Sequence, residues 1–160
     1  MNKAYLLTGG NTGNREKYLQ QAIELISQKC GNIHKQSSLY ETAAWGKTDQ
    51  PAFLNQALLL QTDLEASELM NVLLSIEELM GRHRAEKYGP RIIDIDVLLY
   101  NDLVLQTPLI TVPHPELNNR RFALIPLAEI APNHKHPLLH KTIRQLLKDC
   151  PDKLPVQRVH

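Results

Sequence analysis

Apolar and polar positions follow two rhythms along this chain. Ala4 to Thr8 is a short apolar run that stops at Gly9-Gly10-Asn11, which predicts a strand ended by a tight turn. Between Arg15 and Cys30 the apolar residues Leu19, Ala22, Ile23 and Ile26 form one helical stripe, closed by Gly31. Ile33 to Thr42 alternates loosely and predicts a strand. Glu41 to Pro51 carries turn residues and the lone Trp45, which predicts a loop, and Phe53 to Thr62 is a further strand. Leu69, Val72, Leu73, Ile76, Leu79 and Met80 make the cleanest helical stripe, with Gly81 near its end. A charged loop follows from Arg82 to Pro90, then an apolar strand from Ile92 to Tyr100. Asn101-Asp102 predicts a hairpin turn into Leu103–Gln106. Helices are expected around Asn119–Ile130 and Thr142–Lys148.

The order βαββαββ followed by helices, with hairpins inside it, predicts an α+β fold: a ferredoxin-like antiparallel sheet sandwiched by helices. No linker or repeat divides the chain, so residues 1–160 are expected to form a single domain. A formal net charge of +1 argues against a general nucleic-acid or membrane-surface binder. Two cysteines, Cys30 and Cys150, make no disulfide framework and suit reduced thiols. The N-terminal apolar run is too short for a signal peptide and no segment is long enough to span a bilayer, so a cytoplasmic location is expected.

One strand breaks the pattern chemically. In KYGPRIIDIDVLLY the apolar run carries Asp94 and Asp96, with Arg91 just ahead. An ionised carboxylate in an apolar strand is costly unless something pairs with it. Side chains alternate, so Asp94, Asp96 and Leu98 are expected on one face and Ile93, Ile95, Val97 and Leu99 on the core face. Two carboxylates at i and i+2 lie roughly 7 Å apart, a separation that can flank the metals of a two-metal phosphoryl-transfer site. A solvated strand face, or a pairing with Arg91, explains the same residues. The basic run Arg82, His83, Arg84, Lys87 and Arg91 tips the balance, because arginines beside an acidic pair suit a polyphosphate–metal substrate.

Other signals are weaker alone. His114, Arg120 and Arg121 follow Thr111-Val112-Pro113, where a phosphate site and an ordinary loop are both possible. Phe53 and Phe122, the only phenylalanines, can be stacking plates or core residues, and Asn55 shares a strand face with Phe53. His134, His136 and His140 are interrupted by Pro137 and suit solvated histidines better than metal ligands. Gly9-Gly10-Asn11-Thr12-Gly13 lacks the dinucleotide and P-loop patterns and is explained by a tight turn.

Together these stretches closely resemble 6-hydroxymethyl-7,8-dihydropterin pyrophosphokinases. The likeness runs from AYLLTGGN through SSLYET, QPAFLNQAL and KYGPRIIDIDVLL to TVPHPELNNRRFALIPLAEIAP. The resemblance implies the ferredoxin-like fold and transfer of pyrophosphate from ATP to the pterin hydroxymethyl oxygen, releasing AMP, with two Mg²⁺ ions. It implies that Asp94 and Asp96 hold metal and act in catalysis with Arg84 and Arg91. Glu77, Arg84, Arg91, Val97, Thr111, His114 and Arg120 fall at ATP-lining positions. Thr42, Ala43, Trp45, Phe53, Asn55 and Phe122 fall around the pterin. The chain departs from the family pattern at Gly10, at Tyr88, at Pro115 and in a basic loop shorter by one residue. A monomer acting on ATP and 6-hydroxymethyl-7,8-dihydropterin, without nucleic acid or membrane, is the expectation. The competing readings are another two-metal enzyme of ferredoxin-like fold, which would release pyrophosphate, and an RNA-binding module. The second needs exposed aromatics on the sheet, and aromatics are only 5% of this chain.

Overall fold

The computed structural model describes residues 1–43, 50–82 and 91–159. Eight strands and four helices follow in the order β1 (Asn2–Gly10), α1 (Arg15–Lys29), β2 (Asn32–Gln36), β3 (Leu39–Thr42), β4 (Phe53–Thr62), α2 (Ala66–Leu79), β5 (Asp94–Tyr100), β6 (Leu105–Gln106), β7 (Thr111–Val112), α3 (Arg121–Ile130), α4 (Ile143–Asp149) and β8 (Val156–Val159). The main sheet runs β5-β1-β4-β3-β8, with β2 pairing β4 beyond the end of β3. Every pairing in it is antiparallel. Counting β2 and β3 as one interrupted strand, the order is that of a βαββαβ ferredoxin-like sheet, as the sequence predicts.

Three expectations about which strands form and pair need correction. Residues 33–42 form two strands, because Ser37 turns inward: its N–H donates to Ala57 O and its Oγ accepts from Ala57 N–H, both at 2.9 Å. The Asn101-Asp102 turn does not return a strand onto β5; instead β6 pairs with β7 as a separate two-stranded sheet. The C-terminal strand β8, too short and polar to signal itself, adds an edge to β3.

The helical stripes pack as their spacing dictates, except at Leu79, which ends α2 64% exposed. Leu19, Ala22, Ile23 and Ile26 of α1 and Leu69, Leu73 and Ile76 of α2 cover one sheet face over Leu6, Ile95 and Val97. Leu124 and Leu127 of α3 and Ile143 and Leu146 of α4 cover the other, over Leu7, Leu98 and Leu99. The expected alternation of β5 therefore fails at Leu99. The register against β1 slips between Tyr5 and Leu6, so Leu98 and Leu99 both join the α3–α4 side. The slip lies beyond the aspartates, which keep the face away from Ile93, Ile95 and Val97.

Candidate active site

Asp94 and Asp96 stand at the start of β5, on the α3–α4 face of the sheet. Opposed residues of antiparallel strands share a face, and the registers Asp94↔Gly9 and Gly9↔Asn55 draw a row across β5, β1 and β4. Two strand spacings put Asp94 and Asn55 roughly 10 Å apart at Cα. Glycine in the middle of that row leaves room for the amide: a Cβ on Gly9 would collide with Asn55 Oδ1. Thr42 opposes Phe53 and Tyr40 opposes Asn55, so Thr42, Phe53 and Asn55 look onto the same face as the acidic pair. Thr42 is buried, and its Oγ1 has no hydrogen-bond partner among the described residues.

The pairing that the acidic strand demands is found in Arg82. The end of α2 is a Schellman motif. Gly81 takes φ 88°, its N–H donates to Glu78 O, and Arg82 N–H donates to Glu77 O at 3.0 Å. That turn folds the Arg82 side chain back under the sheet end. Its Nη1 lies 2.8 Å from Glu77 Oε1 and 3.0 Å from Asp94 Oδ1, and the side chain is 6% exposed. Glu77, 2% exposed, also accepts Ile95 N–H at 2.8 Å through Oε2. Glu77 thus fixes both the cation and the start of the acidic strand. From this position it supports the start of the acidic strand from beneath.

Burial, the adjacent Asp94 carboxylate and Glu77 push Asp96 up to about 7, against the opposing pull of Arg120 and Arg82. Arg120 precedes α3 and lies with its guanidinium carbon 5.7 Å from the Phe122 ring centroid. His114 follows Val112-Pro113, a cis peptide. Its N–H donates to Leu98 O at 2.9 Å, which ties this loop to β5. Burial and the Arg120 charge lower its pKa to about 4, against Glu116 and Asp94. His114 Nδ1 accepts from Glu116 N–H at 3.2 Å, so the neutral ring carries its proton on Nε2 and offers it as a donor.

The structure therefore gathers Asp94, Asp96, His114, Arg120 and Phe122 at one end of the sheet, with Thr42, Phe53 and Asn55 beside them. Arg91 precedes β5, three residues before Asp94, and Thr111 lies on β7, the strand that leads into the His114 loop. Ala43 is exposed just beyond β3. Val97 has its side chain buried in the α1–α2 core, on the face expected for it, so its main chain is the part left to face a nucleotide. Trp45 and Arg84 lie outside the described residues. Asp94 and Asp96 fit a magnesium ion whose shell substrate phosphates and water complete, since magnesium usually takes only one or two carboxylates. No cage of three or more His, Cys, Asp or Glu side chains occurs among the described residues.

A family profile described as 7,8-dihydro-6-hydroxymethylpterin-pyrophosphokinase matches residues 5–132. The chain belongs to this family. The pyrophosphokinase of Aquifex aeolicus (2-amino-4-hydroxy-6-hydroxymethyldihydropteridine pyrophosphokinase) is 43% identical over 145 residues, covering 91% of this chain and 90% of the relative. The Bacillus subtilis protein of the same name is 44% identical over 130 residues, 81% of this chain and 78% of its own. The folic acid synthesis protein FOL1 of Dictyostelium discoideum is 35% identical over 151 residues, 94% of this chain but 23% of its own length. Among solved structures, the HPPK-DHPS of Plasmodium falciparum with SDX-DHP superposes at a TM-score of 0.73 and 22% identity, covering 93% of this chain and 43% of that one. That last likeness supports the fold. As a pyrophosphokinase the chain is an ATP-dependent diphosphotransferase of folate biosynthesis.

Beside this candidate site, Arg82 and Asn11 hold positions to which the sequence alone assigns no role. Arg82 was legible as one charge in a basic run, and its five-residue spacing from Glu77 was the available clue. Asn11 was read as part of a simple turn. Among the described residues no helix is long and apolar enough to cross a membrane.

Proposed function

We propose that this pyrophosphokinase acts across the row Asp94–Gly9–Asn55, with ATP phosphates over β5 and the pterin over the Phe53 end of β4. The observation that carries the reading is the common face: an acidic pair flanked by Arg82 and Arg120, and beside it an amide, an aromatic ring and a hydroxyl with no hydrogen-bond partner among the described residues. The pterin hydroxymethyl oxygen attacks the β-phosphorus, the bond from that phosphorus to the α–β bridging oxygen breaks, and AMP leaves with that oxygen. The hydroxyl proton passes to solvent.

The chain's own residues orient and neutralise. Asn55 reads the pterin edge, Thr42 Oγ1 supplies a further hydrogen bond, and Phe53 and Phe122 stack on its faces. Arg91 and Arg120 meet phosphate oxygens, and His114 Nε2–H donates to one without a change of charge. Asp94 and Asp96 are the residues that would hold Mg²⁺, two ions in all. Bound magnesium would supply charge neutralisation and a lowered pKa for a coordinated hydroxyl. No side-chain base is assigned; positioning carries most of the rate. The reading includes a cytoplasmic monomer free of nucleic acid and membrane, supported by the +1 net charge and two buried free thiols.

The test is incubation with ATP, Mg²⁺ and 6-hydroxymethyl-7,8-dihydropterin, with nucleotides resolved by chromatography. AMP that appears only with pterin, matched by a pterin diphosphate, is expected. Pyrophosphate as the product instead would move the chemistry to nucleotidyl transfer. Asp96→Asn should cut turnover at least a thousandfold while the protein stays folded, and near-parental turnover would remove Asp96 from the metal site.

A further inference from the structure

We propose that Asn11 is a positioning residue that couples the nucleotide half of the site to the pterin half. Its side chain is 2% exposed at the end of β1, between the segments that enter β5 and β4. The backbone N–H of Asn11 donates to Arg91 O at 2.9 Å, and its Oδ1 accepts Arg91 N–H at 2.8 Å. Both main-chain polar groups of Arg91 are thereby held by one residue. On the other side, Asn11 Nδ2 donates to Gln50 Oε1 at 3.0 Å and to Pro51 O at 3.1 Å. One N–H pointing at the oxygen and two oxygens receiving the nitrogen fix the orientation of the amide.

A residue that merely closed a turn would bond within that turn. Asn11 accepts one long bond within its turn, from Thr12 Oγ1 at 3.4 Å, but its shorter bonds reach positions 39, 40 and 80 residues away along the chain. Those positions adjoin both substrates. Arg91 is the phosphate cation and stands three residues before Asp94. Pro51 stands two residues before Phe53 and four before Asn55. The two preceding glycines bring the same segments close. A Cβ on Gly10 would collide with Ile92 O, and one on Gly9 with Asn55 Oδ1. Arg15 fastens the pterin-side segment independently, donating to Ala52 O at 2.9 Å and pairing with Glu41 at 2.8 Å.

A ligand that orders Arg91 therefore orders Asn11, and through it the lead into Phe53. Coupling of this kind is reciprocal and commonly amounts to about 5–150-fold in affinity. The proposal rests on the assignment of Arg91 to phosphate and Phe53–Asn55 to pterin, so the experiment tests the two separately.

Calorimetry would measure pterin affinity with and without saturating α,β-methylene-ATP and Mg²⁺, in the parent and in Asn11→Asp, Gln50→Ala and Arg91→Ala. Asn11→Asp keeps an acceptor for Arg91 N–H but loses both donations. The parent should bind pterin at least fivefold tighter when the analogue is present. In Asn11→Asp that enhancement should fall at least fivefold, while analogue affinity without pterin stays within about twofold of the parent. Gln50→Ala, which leaves Asn11 and Arg91 in place, should lose about half of the enhancement on a logarithmic scale and decides the matter if Asn11→Asp does not fold. An undiminished enhancement in a folded variant, or none in the parent, overturns the proposal. Arg91→Ala must weaken the analogue about tenfold; if it does not, the assignment of the site fails first.

Discussion

At the scale of single residues, the site is an electrostatic arrangement held ready for cations. Asp96 sits near Asp94 and Glu77, and its raised pKa is a statement about stability. Its folded value of about 7 lies above the unfolded value near 4, so the free protein gains stability from this group as pH falls from 7 towards 4. Asp96→Asn removes that cost. At pH 7.5 and without Mg²⁺ it should raise stability by about 1–2 kcal/mol, after allowance for partial solvent access and the opposing arginines. The gain should vanish near pH 4, and a melting series from pH 4 to 8 shows it; a variant less stable than the parent at pH 7.5 contradicts the repulsion. His114 has the opposite sign: its folded pKa of about 4 lies below the free value, so its contribution is lost as pH falls through 6.5 towards 4. Arg82 is the third case. Arg82→Met removes the guanidinium that lies 2.8 Å from Glu77 and 3.0 Å from Asp94, and should cost about 3 kcal/mol in denaturant unfolding. A neutral result would mean that Arg82 is dispensable to the free fold. The pair Asp94–Asp96 was legible because two carboxylates interrupt an apolar run. The role of Arg82 was not, since it depends on where the Gly81 turn aims one of several neighbouring cations.

Elements explain what the residue list leaves open. Strong periodicity made α1, β4 and α2 plain in the sequence, and β4 falls on the expected residues from Phe53 to Thr62. The failures share a cause, which is that tertiary contacts override short, weak patterns. Ser37 breaks the strand at β2–β3 because it exchanges hydrogen bonds with Ala57 of β4. The register slip in β5 sends Leu99 to the second core because β1 pairs with it irregularly at Tyr5. β8 forms only because β3 offers an edge. That edge matters to the site, for Thr42 pairs with Phe53 on one side and Val156 on the other. Tyr40 on the same strand donates to Glu129 of α3, which also accepts from Ser38 N–H at 2.9 Å. Burial pushes the Glu129 carboxyl up, yet these hydrogen bonds outweigh it and its pKa is lowered. Glu129→Ala should therefore cost about 1–2 kcal/mol and weaken pterin binding more than ATP-analogue binding, since β3 carries Thr42 and not β5. Calorimetry with each ligand alone checks this, and an equal loss for both would argue against β3 as a pterin-side element.

For the whole molecule, the two cores on opposite faces leave one end of the sheet for chemistry. Asp94 and Asp96 stay half-exposed there, while Ile93, Ile95 and Val97 beneath them are buried. The ferredoxin-like order was legible from the alternation of strand and helix signals, but the location of the site on the α3–α4 face was not, because α3 and α4 follow in sequence all the strands they cover except β8. The same architecture occurs within a longer chain in the Plasmodium protein, of which the matching region is 43%. Whether this chain associates with itself depends on its sheet edges and exposed apolar side chains. The β5 edge gives Leu98 O to His114 N–H. The β8 edge is four residues long and presents Gln157 and Arg158 to solvent. Short, charged or covered edges resist strand-to-strand pairing. Sedimentation equilibrium at micromolar concentration should therefore give a mass of 18.2 kDa, with or without ATP analogue. A dimer would instead implicate exposed apolar side chains, of which Leu103, Val104 and Leu109 cluster around the β6–β7 hairpin and Leu79, Leu138 and Leu139 lie elsewhere. Charged substitutions at Val104 would dissociate a dimer formed through the hairpin without touching the row Asp94–Gly9–Asn55.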